Sequence, residues 1–225
     1  RATFQGAEFG GEADFRFTEF EGEGNFRFVT FENDVTFGGV EFASKVGFQV
    51  AEFGGEANFH GAGFASAAHF GQTTFDGEIN FVDTEFEDDA HFSELDLDGA
   101  RFDRADLTDA TFTQADLTGG SFESALLSRA TLFGADFRGA KLAGAVLGDV
   151  RIDESTTFLS SPSEGSNDSP HTISAIRSHP TCVYDPKYEK DNEHEDVNKA
   201  KSLYRALEEL GGKHARPRLQ ARSFV

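Results

Sequence analysis

Phenylalanine recurs through the first 92 residues at alternating intervals of five and six, beginning with Phe4, Phe9, Phe15 and Phe20. Every position of this pattern through Phe92 is phenylalanine, without exception. Such a short and regular repeat is typical of a solenoid, in which each coil packs against its neighbours and one column of apolar side chains runs through the stack. The pattern therefore predicts the shape of the molecule and leaves its chemistry open.

After Phe92 the interval becomes five and the residue type relaxes. The pattern continues through Leu97, Phe102, Leu107, Phe112, Leu117, Phe122, Leu127, Leu132, Phe137, Leu142, Leu147 and Ile152, and one six-residue step reaches Phe158. A small or β-branched residue stands two places before most of these positions, which predicts an inward pair of one large and one small side chain. Spacing alone fits either a four-sided coil or a flatter β-roll with two 11-residue sides.

Three short runs carry a resemblance to a known family. Ala105-Asp106-Leu107, Ala115-Asp116-Leu117 and Ala135-Asp136-Phe137 resemble the A-(D/N)-L-x-x unit of pentapeptide repeat proteins, and the resemblance covers residues 1–158. It implies an all-β solenoid, a right-handed quadrilateral β-helix with one repeat per side and four per coil. Seven to eight coils at ~4.8 Å each would make a rod ~35 Å long.

The six-residue steps insert one extra residue on alternate sides of the N-terminal coils. The inserted residues are Glu12, Glu23, Asp34, Lys45, Glu56, Ala67, Glu78 and Asp89. A 22-residue coil would align Glu12, Asp34, Glu56 and Glu78 as one acidic ladder and the other four on the opposite side. Like charges ~5 Å apart repel by on the order of 1 kcal/mol per pair even in water. We therefore take this ladder as the candidate interaction site.

The acidity of the chain lies in the repeats. Residues 1–158 hold 30 acidic and 10 basic side chains, whereas residues 159–225 hold 10 of each, so the net charge of −20 belongs to the solenoid. Together with the low Lys and Arg content and the lack of Met and Trp, this favours a halophilic protein, in which molar salt screens repulsion within ~3 Å. No direct binding of nucleic acid is expected.

Two functional interpretations of the same charge stay open. Members of the resembled family act as DNA mimics, acidic rods that occupy the DNA groove of a type II topoisomerase. Alternatively, the carboxylate ladder would bind Ca²⁺ or Mg²⁺, which prefer clustered oxygen ligands, although no aspartate-rich loop of the EF-hand type supports this.

Two other outward features attract notice. His69 and His91 are one 22-residue coil apart, which predicts stacked surface rings; a transition metal would need a third ligand that does not recur in that column. Phe17 and Phe28 come two places after a core position, where side chains should face outward. Because they are 11 residues apart they are predicted to lie on opposite sides, each resting on a neighbouring side chain or on a partner.

The sequence contains no catalytic motif. It has no glycine-rich phosphate loop, nucleophile elbow or cluster of metal ligands. The one cysteine, Cys182, follows His179 closely, but a lone Cys in a proline-containing loop is usually an ordinary thiol and forms no internal disulfide. We therefore expect a non-enzymatic protein without a cofactor.

The repeats end at Phe158. We expect a Ser- and Pro-rich linker or irregular segment over 159–190, an amphipathic helix over 191–212 and a basic tail over 213–225. One face of the helix would be formed by Val197, Ala200, Leu203, Tyr204, Leu207 and Leu210. This helix would cover the open end of the solenoid, whose last coil otherwise exposes apolar side chains.

The segment 200–220 resembles haloarchaeal pentapeptide repeat proteins in which it leads into an ion-channel-like membrane module. That resemblance implies a module downstream of Val225, and we interpret the chain as a fragment. The function predicted is a scaffold or protein-interaction module with an unidentified protein partner, the soluble part of a larger membrane-associated protein, with the topoisomerase-directed DNA mimic as the alternative. The predicted location is the cytoplasm or the cytoplasmic face of the membrane.

Overall fold

The computed structural model describes residues 1–153 and 155–158, which wind into a parallel β-helix with four faces. Face A contains β1 (Ala2–Thr3), β5 (Gly24–Asn25), β9 (Val46–Gly47), β13 (Ala68–His69) and β17 (Ala90–His91). Face B contains β2 (Glu8–Phe9), β6 (Thr30–Phe31), β10 (Glu52–Phe53) and β14 (Thr74–Phe75). Face C contains β3 (Ala13–Asp14), β7 (Val35–Thr36), β11 (Ala57–Asn58) and β15 (Ile79–Asn80). Face D contains β4 (Glu19–Phe20), β8 (Glu41–Phe42), β12 (Gly63–Phe64) and β16 (Glu85–Phe86).

Each strand pairs with the strand four places along the chain. Ala2 stands beside Gly24, and Glu52 stands beside both Thr30 and Thr74, so the register advances 22 residues per coil. Four parallel sheets confirm the quadrilateral architecture and exclude the flatter two-sided roll.

Beyond His91 the same faces continue as single bridges at 20-residue intervals. The bridged series are His91, Thr111, Thr131 and Arg151 on face A; Asp96, Asp116, Asp136 and Thr157 on face B; Asn80, Arg101, Ser121 and Lys141 on face C; and Glu85, Asp106, Leu126 and Val146 on face D. The stack therefore runs to between seven and eight coils, as the repeat count predicted.

The core consists of four stacks of large side chains, one per face. Phe37, for example, stacks on Phe15 and on Phe59 with ring centroids 4.9 Å apart and interplanar angles of 4° and 5°. Rings of neighbouring stacks meet edge to face, as Phe26 and Phe37 do at 5.5 Å and 90°. Both arrangements suit the aromatic quadrupole, so a phenylalanine core is stabilised by ring geometry as well as by burial.

The small member of each inward pair fills the space between the stacks. Ala57, Ala68, Ala105 and Ala115 are buried, as are Val35 and Val46 at equivalent positions. The predicted alternation of one large and one small inward side chain is confirmed.

The two interval lengths correspond to two kinds of turn. Where five residues separate consecutive core positions, the second residue after the first of them is left-handed, as at Phe17, Gly39, Arg104 and Gly119. Each six-residue step of the N-terminal coils, such as that from Phe20 to Phe26, lacks such a residue. The extra residue thus turns the corner without a backbone conformation that costs an L-residue roughly 1–2 kcal/mol.

The predicted linker over 159–190, the helix over 191–212 and the basic tail over 213–225 lie outside the described residues. They remain predictions.

Candidate functional site

The acidic ladder lies at the corner where face B meets face C. The backbone N–H of Ala13 donates to the carbonyl of Asp34, that of Val35 to Glu56, and that of Ala57 to Glu78, at 2.9–3.0 Å. This places the inserted residues of successive coils next to one another, as predicted.

The side chains of the ladder face outward. Glu12, Asp34 and Glu78 are exposed and Glu56 is half-buried. Asp34 accepts a hydrogen bond at Oδ1 from the backbone N–H of Glu56, 2.8 Å away, so this carboxylate also closes its corner. The geometry of the ladder matches the prediction, and its role as an interaction site stays a prediction.

The carboxylates extend well beyond the ladder, onto faces B and D. With turn residues assigned to the face that they follow, face B carries Glu8, Glu32, Glu52, Asp76, Asp96, Asp98, Asp116 and Asp136, and face D carries Glu19, Glu21, Glu41, Glu85, Glu87, Asp88, Asp106, Asp109 and Asp149. Among the described residues, the basic side chain of face B is Arg138 and that of face D is Arg129, and each forms an ion pair with an aspartate. Two opposite faces of the rod are thus strongly acidic.

Face C mixes both signs of charge. Arg104 donates two hydrogen bonds of 2.6 Å to Asp83, and these lower the pKa of that carboxyl. Arg16 does the same for Asp14, where its side-chain hydrogen bonds lower the carboxyl pKa to about 2. Both pairs are largely exposed, so their contribution to stability is small.

Face A differs from the others over its first coils. The described stretches 24–28, 45–50 and 67–72 contain Arg27, Lys45 and His69 and no carboxylate. A cleft of about 220 Å³ opens there, between β5 and β9. A second cleft, of about 380 Å³, lies on face D, where Asp83, Glu85, Glu87 and Asp106 surround it.

The rings of His69 and His91 stack 4.6 Å apart at 9° on face A, which confirms the predicted pair. Partial burial is the largest cause that lowers the pKa of His69, and the nearby His91, Lys45 and Arg27 lower it further. The described residues contain no group of three or more His, Cys, Asp or Glu side chains placed to hold a metal ion.

Phe17 and Phe28 are exposed by 83% and 54%, on opposite faces C and A as predicted. The Phe17 ring lies over Gly39, where a Cβ would come within 2.8 Å of two ring carbons. Phe17 therefore rests on the backbone of the next coil. Phe28 shares its left-handed turn column with Val50, which is also exposed.

Sequence reasoning did not find the separation of charge among the faces or the strained turn residues. Both could have been found by writing the chain out in coils of four sides and comparing the columns. Pairs within one column, such as Phe28 with Val50, are 22 residues apart and invisible in a linear reading.

The match to a family model falls in the 20-residue coils. Residues 88–123 and 112–149 match the model "Pentapeptide repeats", with 8 copies of the unit. The chain contains a pentapeptide-repeat array. The 22-residue coils that precede this array share its four-sided architecture and continue its sheets.

Solved structures similar to the chain include other pentapeptide repeat proteins. HetL from the cyanobacterium Nostoc, involved in the regulation of heterocyst differentiation, is 20% identical over 66% of this chain and 86% of its own, with a TM-score of 0.30. Rfr23 from the cyanobacterium Cyanothece 51142 is 17% identical over 64% and 89%, with a TM-score of 0.27. A form of QnrB1, a plasmid-mediated fluoroquinolone resistance protein, is 18% identical over 67% and 86%, with a TM-score of 0.26. No curated protein matches the chain.

The matched family model describes a structural repeat, and no catalytic family is indicated. Within residues 1–153 and 155–158, no helix has the length and apolar character needed to cross a membrane.

Proposed function

We propose that this solenoid is a non-enzymatic protein-interaction module that presents its acidic faces B and D to a cationic partner surface. The observation that carries the proposal is the concentration of carboxylates on two opposite faces of a rod with a filled core. The aromatic stacks leave no interior cavity for a substrate among the core positions. What varies from coil to coil is the outer surface.

Affinity capture with matched variants tests this proposal. The first variant replaces Glu19, Glu41 and Glu85 on face D by Gln, and the second replaces Thr30, Asn58 and Thr74, which lie outside face D, by Ser or Gln. We expect proteins with basic surfaces to bind the wild type and the second variant and to be lost from the first. Equal recovery on all three, at the same salt concentration, would contradict a role for the acidic face.

A second candidate function is mimicry of DNA, favoured by the charge density of the rod. Residues 1–158 carry 30 carboxylates and 10 Lys or Arg side chains. Spread over ~35 Å, this is one net negative charge per ~1.8 Å, close to the ~1.7 Å of duplex DNA. A DNA-binding groove that accepts a duplex would meet a similar field along this rod.

A supercoiling assay with a purified type II topoisomerase separates the two functions. A DNA mimic should inhibit supercoiling at micromolar concentration, and the face D variant should inhibit less. Full enzyme activity in the presence of excess solenoid would remove this candidate and leave the first one standing.

The membrane association that we propose with the first function rests on the resemblance of segment 200–220 to proteins with a channel-like module. The reading frame that follows Val225 in the gene tests it directly. Two apolar segments separated by a short loop would support this proposal, whereas a stop codon would remove it.

A further inference from the structure

The cleft on face A brings together two basic side chains within an otherwise acidic rod. Its floor is formed by Asn25 and Gly47, and Arg27 and Lys45 stand on its walls. The ion pair of Arg1 with Glu23, whose atoms are 3.8 Å apart, borders one end.

Arg27 and Lys45 differ from most arginines of the solenoid in their partners. Arg16, Arg104, Arg129 and Arg138 each bind a carboxylate. In the described part of the chain, neither Arg27 nor Lys45 forms an ion pair, and Arg27 instead donates from Nε to Oε1 of Gln49 at 2.9 Å. Two basic groups thus face solvent without a counter-charge on their own face.

Glycine at position 47 permits this arrangement. A Cβ there would lie 2.5 Å from Oε1 of Gln49 and 3.4 Å from Nε of Arg27. Because Gly47 has no side chain, the hydrogen-bonded pair of Arg27 and Gln49 lies close against the sheet. The pair holds the guanidinium at the edge of the cleft, so a ligand would meet a positioned group.

An apolar ridge borders the basic groups. Phe28 follows Arg27 and Val50 follows Gln49, and they occupy adjacent coils, since the N–H of Phe28 donates to the carbonyl of Gln49 at 3.1 Å. They are 54% and 36% exposed. Both also adopt a left-handed conformation with φ of 58°, which costs a residue with a Cβ roughly 1–2 kcal/mol.

Neither burial nor backbone preference explains an apolar residue at these two positions. Gly or Asn would suit the turn better, and a polar residue would suit the solvent better. Strain that persists at an exposed position is commonly associated with a binding role. The ridge and the basic pair therefore indicate one surface with two chemistries side by side.

We infer that this surface, formed by Arg27, Lys45, Phe28 and Val50, binds an extended acidic segment of a partner protein. A carboxylate of the segment pairs with Arg27 and Lys45, and an adjacent apolar side chain covers Phe28 and Val50. The cleft is shallow and lies on a sheet face, which suits a peptide chain better than an enclosed small molecule. The inference rests on the proposed function, since it assigns a second surface to the same interaction module.

Fluorescence anisotropy with labelled peptides tests the inference. The probe is a nine-residue peptide of alternating aspartate and leucine, with peptides of alternating serine and leucine and of alternating aspartate and serine as controls. We expect saturable binding of the first peptide and at least tenfold weaker binding of both controls. The double variant Arg27→Gln with Lys45→Gln should lose at least tenfold in affinity, and Phe28→Asn with Val50→Asn at least fivefold.

Lys141→Gln provides the matched control, because Lys141 is a basic residue of face C without an ion pair in the described structure. Its affinity for the peptide should equal that of the wild type. NMR shifts on peptide addition should concentrate in the amides of 25–28 and 47–50. Absent binding, affinity unchanged in both double variants, or shifts located elsewhere would each overturn the inference.

The outcome is separable from that of the proposed function. Loss of partners in the face D variant with no peptide binding on face A would refute only the inference. Peptide binding that depends on Arg27 and Lys45, with no effect of the face D variant, would refute the acidic-face proposal and leave the inference standing.

Discussion

The 22-residue coils and the 20-residue coils solve the same packing problem with different perimeters. In the wide coils, all four stacks are phenylalanine, as in Phe48, Phe53, Phe59 and Phe64. In the narrow coils, leucine takes over part of the stacks; the coil of Leu97, Phe102, Leu107 and Phe112 alternates the two. Since protein interiors are close-packed, the size of the core side chains follows the perimeter of the coil.

The turns differ in the same way. A wide coil has two left-handed residues, as at Val50 and Gly61, and a narrow one has four, as at Gly99, Arg104, Asp109 and Gln114. An inserted residue therefore relaxes two corners of each coil and enlarges the core. The comparison teaches that the six-residue step is an alternative coil design within one continuous helix.

The largest effect is expected from a charge in a wide-coil stack. Phe59→Asp should abolish folding, because Phe59 is fully buried and an unpaired carboxylate there costs several kcal/mol. The control is Phe17→Asp, at a position that is 83% exposed, which should shift the free energy of unfolding little. Circular dichroism on thermal melting measures both. A folded Phe59→Asp protein would show that the register of the wide coils is wrong.

Exchanging core sizes between the regions should destabilise in both directions. Leu107→Phe overfills a narrow coil and should lower the free energy of unfolding by about 1–3 kcal/mol. Phe64→Leu, on the same face of a wide coil, should cost about 1 kcal/mol through lost ring contacts with Phe42 and Phe86. Urea denaturation measures both changes. If Leu107→Phe stabilised the protein, perimeter would not limit core size.

Left-handed turns provide a smaller test. Val50→Gly should raise the free energy of unfolding by about 0.5–1 kcal/mol, because relief of the left-handed valine exceeds the added entropy of the unfolded chain. Glu78→Gly, in a six-residue turn without a left-handed residue, should lower it by a similar amount. The same denaturation experiment decides, and opposite signs for the two variants are the expected result.

The smallest effect concerns the acidic ladder, which occurs in the wide coils alone. Glu56→Lys should be neutral or stabilise the protein by about 0.5 kcal/mol at low salt, through reduced repulsion with Asp34 and Glu78. Molar KCl should remove that difference and raise the melting temperature of the wild type. Ala67→Lys on the opposite side serves as the control. A larger gain from Ala67→Lys than from Glu56→Lys would contradict repulsion within the ladder.

Much of this architecture could be predicted because a solenoid converts sequence period into space. The spacing of Phe4, Phe26 and Phe48 gives the stack, and the position of Asp34 gives the ladder, since neighbours along the axis are one coil apart. The surface of face A could not be predicted in this way. Its cleft depends on how Arg27 turns toward Gln49 across the gap left by Gly47, which is a matter of side-chain contact.

The sequence by itself determined the four stacks, the coil lengths and the sign of the charge, because local spacing and composition decide these. The tertiary structure decided which charges share a face, which turns are strained and which basic groups lack a partner. The physical reason is that these properties arise between residues about 22 positions apart, where the chain first meets itself again. Face A, neutral beside two acidic neighbours, exists only at that level.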